Sequence, residues 1–150
     1  MGILSVRLAT DRDVDAAGGL AAVRSLTAWT HRGLAAELER EDALFAVVED
    51  GDGVAGYCVA RFVEKECRLL DIVVVEDGLG LGQELWGFLV LEARRRGAEK
   101  LTFEVSEKNK RAWDFYITAG AKEVGWRPKF YPDGAAAVLM DFDLQGGLSP

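Results

Sequence analysis

Cysteine and histidine are nearly missing from this chain. Its 150 residues include two cysteines, Cys58 and Cys67, and one histidine, His31. So few ligands build neither a disulfide framework nor a Cys/His zinc cluster, and no bound metal is expected. Long apolar runs are missing as well. The stretch Leu69–Val75, interrupted by Asp71, falls far short of the ~20 residues that a membrane helix needs. Met1–Thr10 carries one arginine and no long apolar core, so neither a secretory leader nor a membrane association is expected, and the cytoplasm is the expected compartment. Positive charge is also in deficit. The formal net charge is −7, which argues against nucleic acid as a partner, because tight non-specific binding rests on phosphate neutralisation.

What is present is ordinary globular composition, 49% hydrophobic and 29% charged, in a length that suits one domain over residues 1–150. The charge is unevenly spread. Residues 1–77 hold 8 Lys/Arg against 15 Asp/Glu, whereas residues 94–129 hold ten bases against five acids. Such runs are usually solvated faces, but an acidic first half and a basic later stretch also suit two different ligands.

Periodicity predicts the order β-α-α-β-β-β-α-β-α-β-β. Ser5–Ala9 reads as a strand, followed by a helix whose stripe is Val14, Ala17, Leu20, Ala21 and Leu26, with Thr10 or Asp11 as its cap. Thr30 can cap a second short helix carrying Leu34 and Leu38. Ala43–Glu49 and Val54–Val63 are strands joined by Asp50-Gly51-Asp52-Gly53, a hairpin signal. Cys67–Val75 is nearly all apolar, as in a strand covered on both faces. A helix over about Gln83–Arg96, with Arg94–Arg96 complementing its dipole, stops at Gly97. Lys100–Ser106 is a strand, Asn109 caps a helix closed by Gly120, and strands over Lys122–Tyr131 and Ala136–Leu144 follow, with a frayed tail over 145–150. The fold class is therefore α/β (α+β): a mixed, mostly antiparallel sheet of about seven strands, flanked by helices.

The segment Asp77-Gly78-Leu79-Gly80-Leu81-Gly82, between a strand and a helix, suits an anion. First-turn N–H groups lack internal partners, the dipole adds positive charge, and glycines admit a phosphate to the backbone. A flexible connection is the plainer alternative. A dinucleotide unit is another, since Gly78-x-Gly80-x-Gly82 and Glu104 are roughly spaced for it, but too few βα units follow.

The loop, together with Phe103-Glu104-Val105, Asn109-x-x-Ala112-x-x-Phe115-Tyr116-x-x-x-Gly120-Ala121 and Arg127-x-x-Phe130-Tyr131-Pro132, resembles the GNAT N-acetyltransferases. The branch it resembles is the RimI type, the ribosomal-protein alanine N-acetyltransferases. Ala28-Trp29-Thr30 and Glu66–Val74 add to the likeness, which covers nearly the whole chain. It implies a GNAT acyl-CoA N-acyltransferase fold with acetyl-CoA as cosubstrate, held by Ile72, Val73 and Val74 of the strand and by Gly78, Leu79, Gly80, Leu81, Gly82 and Gln83 of the loop. Asn109 has a cap role from position alone and a cofactor contact by resemblance. The family pattern has a basic residue or glutamine where Asp77 stands, and the loop here is about two residues short. An acid beside a pyrophosphate repels it, so cofactor affinity in the micromolar range is expected.

Alternation places Glu104 on one strand face with Thr102 and Ser106. Spacing alone makes Glu104 a solvated carboxylate and Tyr116 a core tyrosine. The resemblance implies instead that Glu104 accepts the amine proton and Tyr116 protonates the departing thiolate. The acceptor is then a primary amine. An α-amine titrates near about 7.7–8.0 and a lysine near about 10.4, so a carboxylate is a workable base for a protein N-terminus and a poor one for lysine. Acetylation of a small amine, or a non-catalytic GNAT-like binding domain, are the alternatives. Monomer and homodimer are both compatible with the sequence. His31 reads as a surface residue.

Overall fold

The computed structural model describes residues 3–25 and 29–145. Seven strands form one sheet: β1 (Ser5–Leu8), β2 (Ala43–Asp50), β3 (Gly53–Val63), β4 (Glu66–Val74), β5 (Lys100–Ser106), β6 (Lys122–Arg127) and β7 (Ala137–Asp143). Their spatial order is β1-β2-β3-β4-β5-β7-β6. Among the described residues, only β4 and β5 pair in parallel. The crossover between them is α3 (Leu81–Arg95), and α4 (Lys110–Ala119) links β5 to β6. Near the N-terminus a 3-10 turn, Asp11–Asp13, leads into α1 (Val14–Arg24), and α2 (His31–Leu38) follows. Among the described residues no helix is long and apolar enough to cross a membrane.

Strand alternation sorts the core into two layers. Leu44, Ala46, Cys58, Ala60, Cys67, Leu69, Leu101 and Phe103 face α3 and α4. Phe45, Val47, Tyr57, Val59 and Val73 face α1 and α2. Thr30 caps α2 by accepting the Gly33 N–H at 2.9 Å, as the sequence predicts. Thr10 begins the 3-10 turn, where its own N–H donates to Asp13 Oδ2 at 2.8 Å. In α1, Val14, Ala17 and Ala21 are buried; Leu26 lies outside the described residues, as do Ala28 and residues 146–150 of the expected tail.

Three expectations need correction. The strand expected over Lys122–Tyr131 ends at Arg127. Lys129 turns the chain at φ 52°, and the N–H groups of Phe130 and Tyr131 both donate to the Ala135 carbonyl, closing a turn instead of a ladder. The helix expected from Gln83 begins at Leu81, because Gly80 takes a left-handed φ of 82° as its cap and Leu81 enters the core. The strand expected to be covered on both faces is not: Arg68 and Leu70 of β4 are exposed. The cause is the sheet itself. Pairing between β4 and β5 covers only Glu66–Arg68 against Lys100–Thr102. Just beyond, β4 carries a bulge, since Val59 pairs with Asp71 and Ala60 with Leu69, leaving Leu70 extra. A bulge bends its strand and adds twist. Past Arg68 the two strands diverge and a seam opens in the sheet.

Gly56 of β3 has a packing reason to be glycine. A Cβ there would meet the Val73 carbonyl oxygen at 2.8 Å. On the far side of the seam, Trp86 of α3 meets Phe103 of β5 (5.7 Å between ring centroids), Phe115 (6.4 Å) and Tyr116 (5.5 Å) of α4, and Phe142 of β7 (5.3 Å). Helix α3 thus rests on β2, β3 and β4 and reaches across to the strands that β4 no longer touches. Truncating a buried Trp typically costs about 3–5 kcal/mol. Trp86→Ala is therefore expected to lower unfolding free energy by about that amount, measured as a shift in the urea midpoint, whereas Trp86→Phe retains more than half of the stability lost by the alanine variant.

Candidate active site

The seam forms the wall of a cleft of about 1130 Å³. Beyond Arg68, the β5-facing edge of β4 has no strand partner among the described residues, so alternate backbone N–H and C=O groups of 69–74 open into it. Because the cleft passes between two strands, it reaches both faces of the sheet. On the α3/α4 face lie Gly78, Gly80, Leu81, Gly82, Gln83, Asn109, Ala112, Phe115 and Tyr116; on the α1/α2 face lie Trp29, Arg68, Asp71, Glu104, Arg127 and Tyr131.

The expected cofactor residues converge here with one exception. Ile72, Val73 and Val74 line the cleft beside Gly78, Gly80, Leu81, Gly82, Gln83 and Asn109. Leu79 instead packs its side chain against the core. Asn109 caps α4, its Oδ1 accepting the Ala112 N–H at 3.1 Å. Its oxygen is committed to the cap, which leaves its NH2 as the group able to meet a ligand. The first turn of α3 begins at Leu81, so the open N–H groups of Leu81, Gly82 and Gln83 point out of its N-terminus.

Asp77 does not stand alone at this anion site. Its Oδ2 lies 3.4 Å from Arg24 Nη2 of α1 and 3.5 Å from Arg111 Nε of α4. Arg24 also donates to the Val75 carbonyl at 3.3 Å. Two guanidinium groups from distant parts of the sequence thereby reach the loop. They suit a phosphorylated ligand, and sequence reasoning missed both.

The acid and base candidates approach from opposite faces. Tyr116 is 6% exposed, with its ring 4.3 Å from that of Phe103. Burial first, and then the negative charge of Asp71, push its hydroxyl well above the ordinary tyrosine range. Glu104 is on the other face, with Arg127 Nη1 at 3.7 Å from its Oε1. Arg127 in turn sits over the Phe130 ring at 5.8 Å. Nearby Tyr131 is also shifted upward, by burial and then by the charges of Glu104 and Asp133. Both hydroxyl neighbours expected for Glu104, Thr102 and Ser106, line the cleft, Ser106 being buried with its Oγ accepting the Lys108 N–H at 3.2 Å where β5 turns toward α4.

Asp71 is a further carboxylate of the cleft. Ser25 Oγ donates to its Oδ2 at 2.5 Å and Tyr57 Oη at 2.9 Å. The sequence signal for it was an acid inside an otherwise apolar strand. The two cysteines are not nucleophile candidates: burial pushes the thiols of Cys58 and Cys67 up to about 12. His31 is on the surface beside Asp15.

Folding raises the pKa of both Tyr57 and Tyr116, in each case mainly by burial. An unfolded chain releases these protons near about pH 10. Above that value the native state holds protons that the unfolded state has lost, so stability falls as pH rises. The urea midpoint is expected to be flat between pH 8 and 9.5 and to drop from pH 10 upward, with a shallower drop in Tyr116→Phe.

Residues 15–120 match the Acetyltransferase (GNAT) family. A Bacillus subtilis protein, provisionally named a ribosomal protein bS18-alanine N-acetyltransferase, is 28% identical over 132 residues, covering 85% of this chain and 87% of its own. The fold is similar to that of the ribosomal-protein-S18-alanine N-acetyltransferase of Escherichia coli, with a TM-score of 0.86 at 24% identity over 95% of this chain and 94% of that one. It is similar too to the Salmonella typhimurium protein yncA, whose structure holds its cofactor acetyl-CoA, with a TM-score of 0.82 at 19% identity over 98% of this chain and 97% of that one. With most of its length matched, the chain belongs to the GNAT family of acetyl-CoA-dependent N-acetyltransferases.

Proposed function

We propose that residues 1–150 work as one catalytic domain that acetylates the α-amine of a protein N-terminus. One observation supports this above all others: Glu104 and Tyr116, on opposite faces of the sheet, open onto one cleft through the seam. A cosubstrate and an acceptor can then enter from different faces and meet between two proton carriers. The relatives named alanine N-acetyltransferases point to the same acceptor class.

The pantetheine arm of acetyl-CoA lies along the open edge of Ile72, Val73 and Val74. Its pyrophosphate meets the N–H groups at Gly80–Gln83, with Gly78 and Leu79 shaping the approach and Asn109 adding a contact. The acceptor arrives as an ammonium ion, and Glu104 removes one proton. The neutral amine attacks the thioester carbonyl, the C–N bond forms and the C–S bond breaks. Tyr116, which its surroundings keep protonated, gives its proton to the leaving sulfur. The second proton lost by nitrogen restores the tyrosine, and the proton on Glu104 passes to solvent. The sum is ammonium plus thioester giving amide, thiol and one released proton.

General acid–base groups contribute about 10²–10⁴-fold. Glu104→Gln is expected to lower turnover of an Ala-starting peptide at least ~10²-fold near pH 7 and to recover part of it by pH 9, where more amine is neutral. Tyr116→Phe is expected to lower turnover with acetyl-CoA affinity unchanged by calorimetry. A parent-like rate for Glu104→Gln across pH 6–9 removes it from the mechanism. A lysine-only peptide that is the better substrate overturns the N-terminal assignment.

The paired arginines give Asp77 a testable role in affinity. Asp77→Asn frees Arg24 and Arg111 to face the phosphates and removes a like charge, a gain of about 1 kcal/mol in a partly exposed, salt-screened site. Acetyl-CoA is expected to bind about fivefold tighter at low salt, with the advantage shrinking as salt rises. Asp77→Arg is expected to bind at least as tightly as Asp77→Asn.

A further inference from the structure

Asp71 is a carboxylate of the cleft, on the same sheet face as Glu104, to which the mechanism above gives no task. The strand register fixes its place. Arg68 and Thr102 are opposite one another in the last β4–β5 pair. Two residues further along β5 is Glu104, on the same face as Thr102. Along β4, the extra residue Leu70 means that the next position on that face is Asp71, paired with Val59, whose side chain lies in the α1/α2 layer. The bulge therefore sets Asp71 and Glu104 on one face, at one level, on the two banks of the seam.

Several groups near Asp71 are placed among the described residues. Ser25 at the end of α1 and Tyr57 of β3 donate hydroxyls to it. Tyr116 of α4 and Cys58 of β3 feel its charge. Arg68 of β4, Glu104 of β5 and Arg24 of α1 line the same cleft. A second observation points to a ligand at this wall. Trp29 lines the cleft, and its Nε1–H is buried with no hydrogen-bond partner among the described residues. A buried donor left unpaired is costly and calls for an acceptor.

We propose that Asp71 anchors the acceptor: its carboxylate receives the incoming amine as an ammonium ion opposite Glu104, while the Trp29 indole N–H receives the first carbonyl oxygen of the acceptor peptide. This rests on the acetyl-transfer reading and deepens it. An ammonium and a carbonyl separated by one carbon are the signature of an α-amine and are absent from a lysine side chain. Asp71 holds the cation and Glu104 takes its proton, so the two carboxylates divide binding from chemistry.

The test is steady-state kinetics of Asp71→Asn on an Ala-starting peptide from pH 6 to 9. KM for the peptide is expected to rise about tenfold near pH 7, with kcat within threefold and acetyl-CoA affinity unchanged by calorimetry. The KM ratio is expected to shrink toward pH 9, as the α-amine loses its charge near about pH 7.7–8.0. An unchanged KM, or a KM ratio that is the same at every pH, overturns the proposal. A measurement on the wild-type protein avoids any folding defect in the variant. A peptide with an N-terminal trimethylammonium group, which cannot react, is expected to inhibit at least fivefold more strongly than its desamino counterpart; equal inhibition overturns the proposal. Trp29→Phe is expected to raise KM for the peptide and not for a simple alkylamine, and an equal effect on both removes the carbonyl contact. If the wild type acetylates only lysine or small amines, the N-terminal reading falls, and the Asp71→Asn comparison is run on that amine.

Discussion

Everything at this site follows from where one hydrogen-bond ladder stops. The parallel pairing of β4 and β5 lasts three residue pairs. Beyond it the sheet is continuous only through the helices laid over the gap. Backbone hydrogen bonds cannot hold the two halves at that level, so side chains do. Trp86 bridges from α3 to rings on β5, α4 and β7. Edge-to-face pairs of this kind have a defined geometry and add to the area they bury. The cluster therefore keeps the seam open at a fixed width, and its own member Tyr116 faces the space it creates.

Charge in the cleft is arranged by region. At the glycine loop, Arg24 and Arg111 flank Asp77, balancing a residue that would otherwise repel phosphates. At the opposite end, Asp71 and Glu104 occupy the two banks, with Arg127 beside Glu104. One end suits an anion and the other a cation, which is what a thioester of a phosphorylated carrier and a protonated amine require. The net charge of −7 conceals this arrangement, because it is the placement of a few residues and not their sum that matters.

The fold was largely legible in the chain. Caps such as Thr30 and Asn109, stops such as Gly97 and Gly120, and strand alternation all act over a few residues, and each appears where those local rules put it. The glycine loop and the Phe103-Glu104-Val105 strand were legible for the same reason. What was not legible depends on pairing between distant segments. Nothing near Leu70 announces a bulge, which exists only relative to β3. Arg24 and Arg111 are 87 positions apart and meet only through Asp77. Nor could the burial of Ser106, at the turn into α4, be told from the alternation that correctly exposed Glu104.

The bulge at Leu70 makes the chemistry of this protein a matter of odd and even. A strand offers its residues to two sides in turn, and one surplus residue inverts the sequence of sides for everything after it. With Leu70 in place, Ile72 and Val74 pack toward the α3/α4 core while Asp71 and Val73 belong to the other side. Were Leu70 kept but the bulge smoothed out, so that Leu70 itself paired with Val59, the same side chains would trade places, sending a carboxylate into oil and two aliphatic groups into the α1/α2 side of the cleft. A substitution at Leu70 changes one side chain and a deletion there only closes the bulge, whereas a one-residue slip of β4 against β3 beyond Leu69 would change the side that every later residue serves.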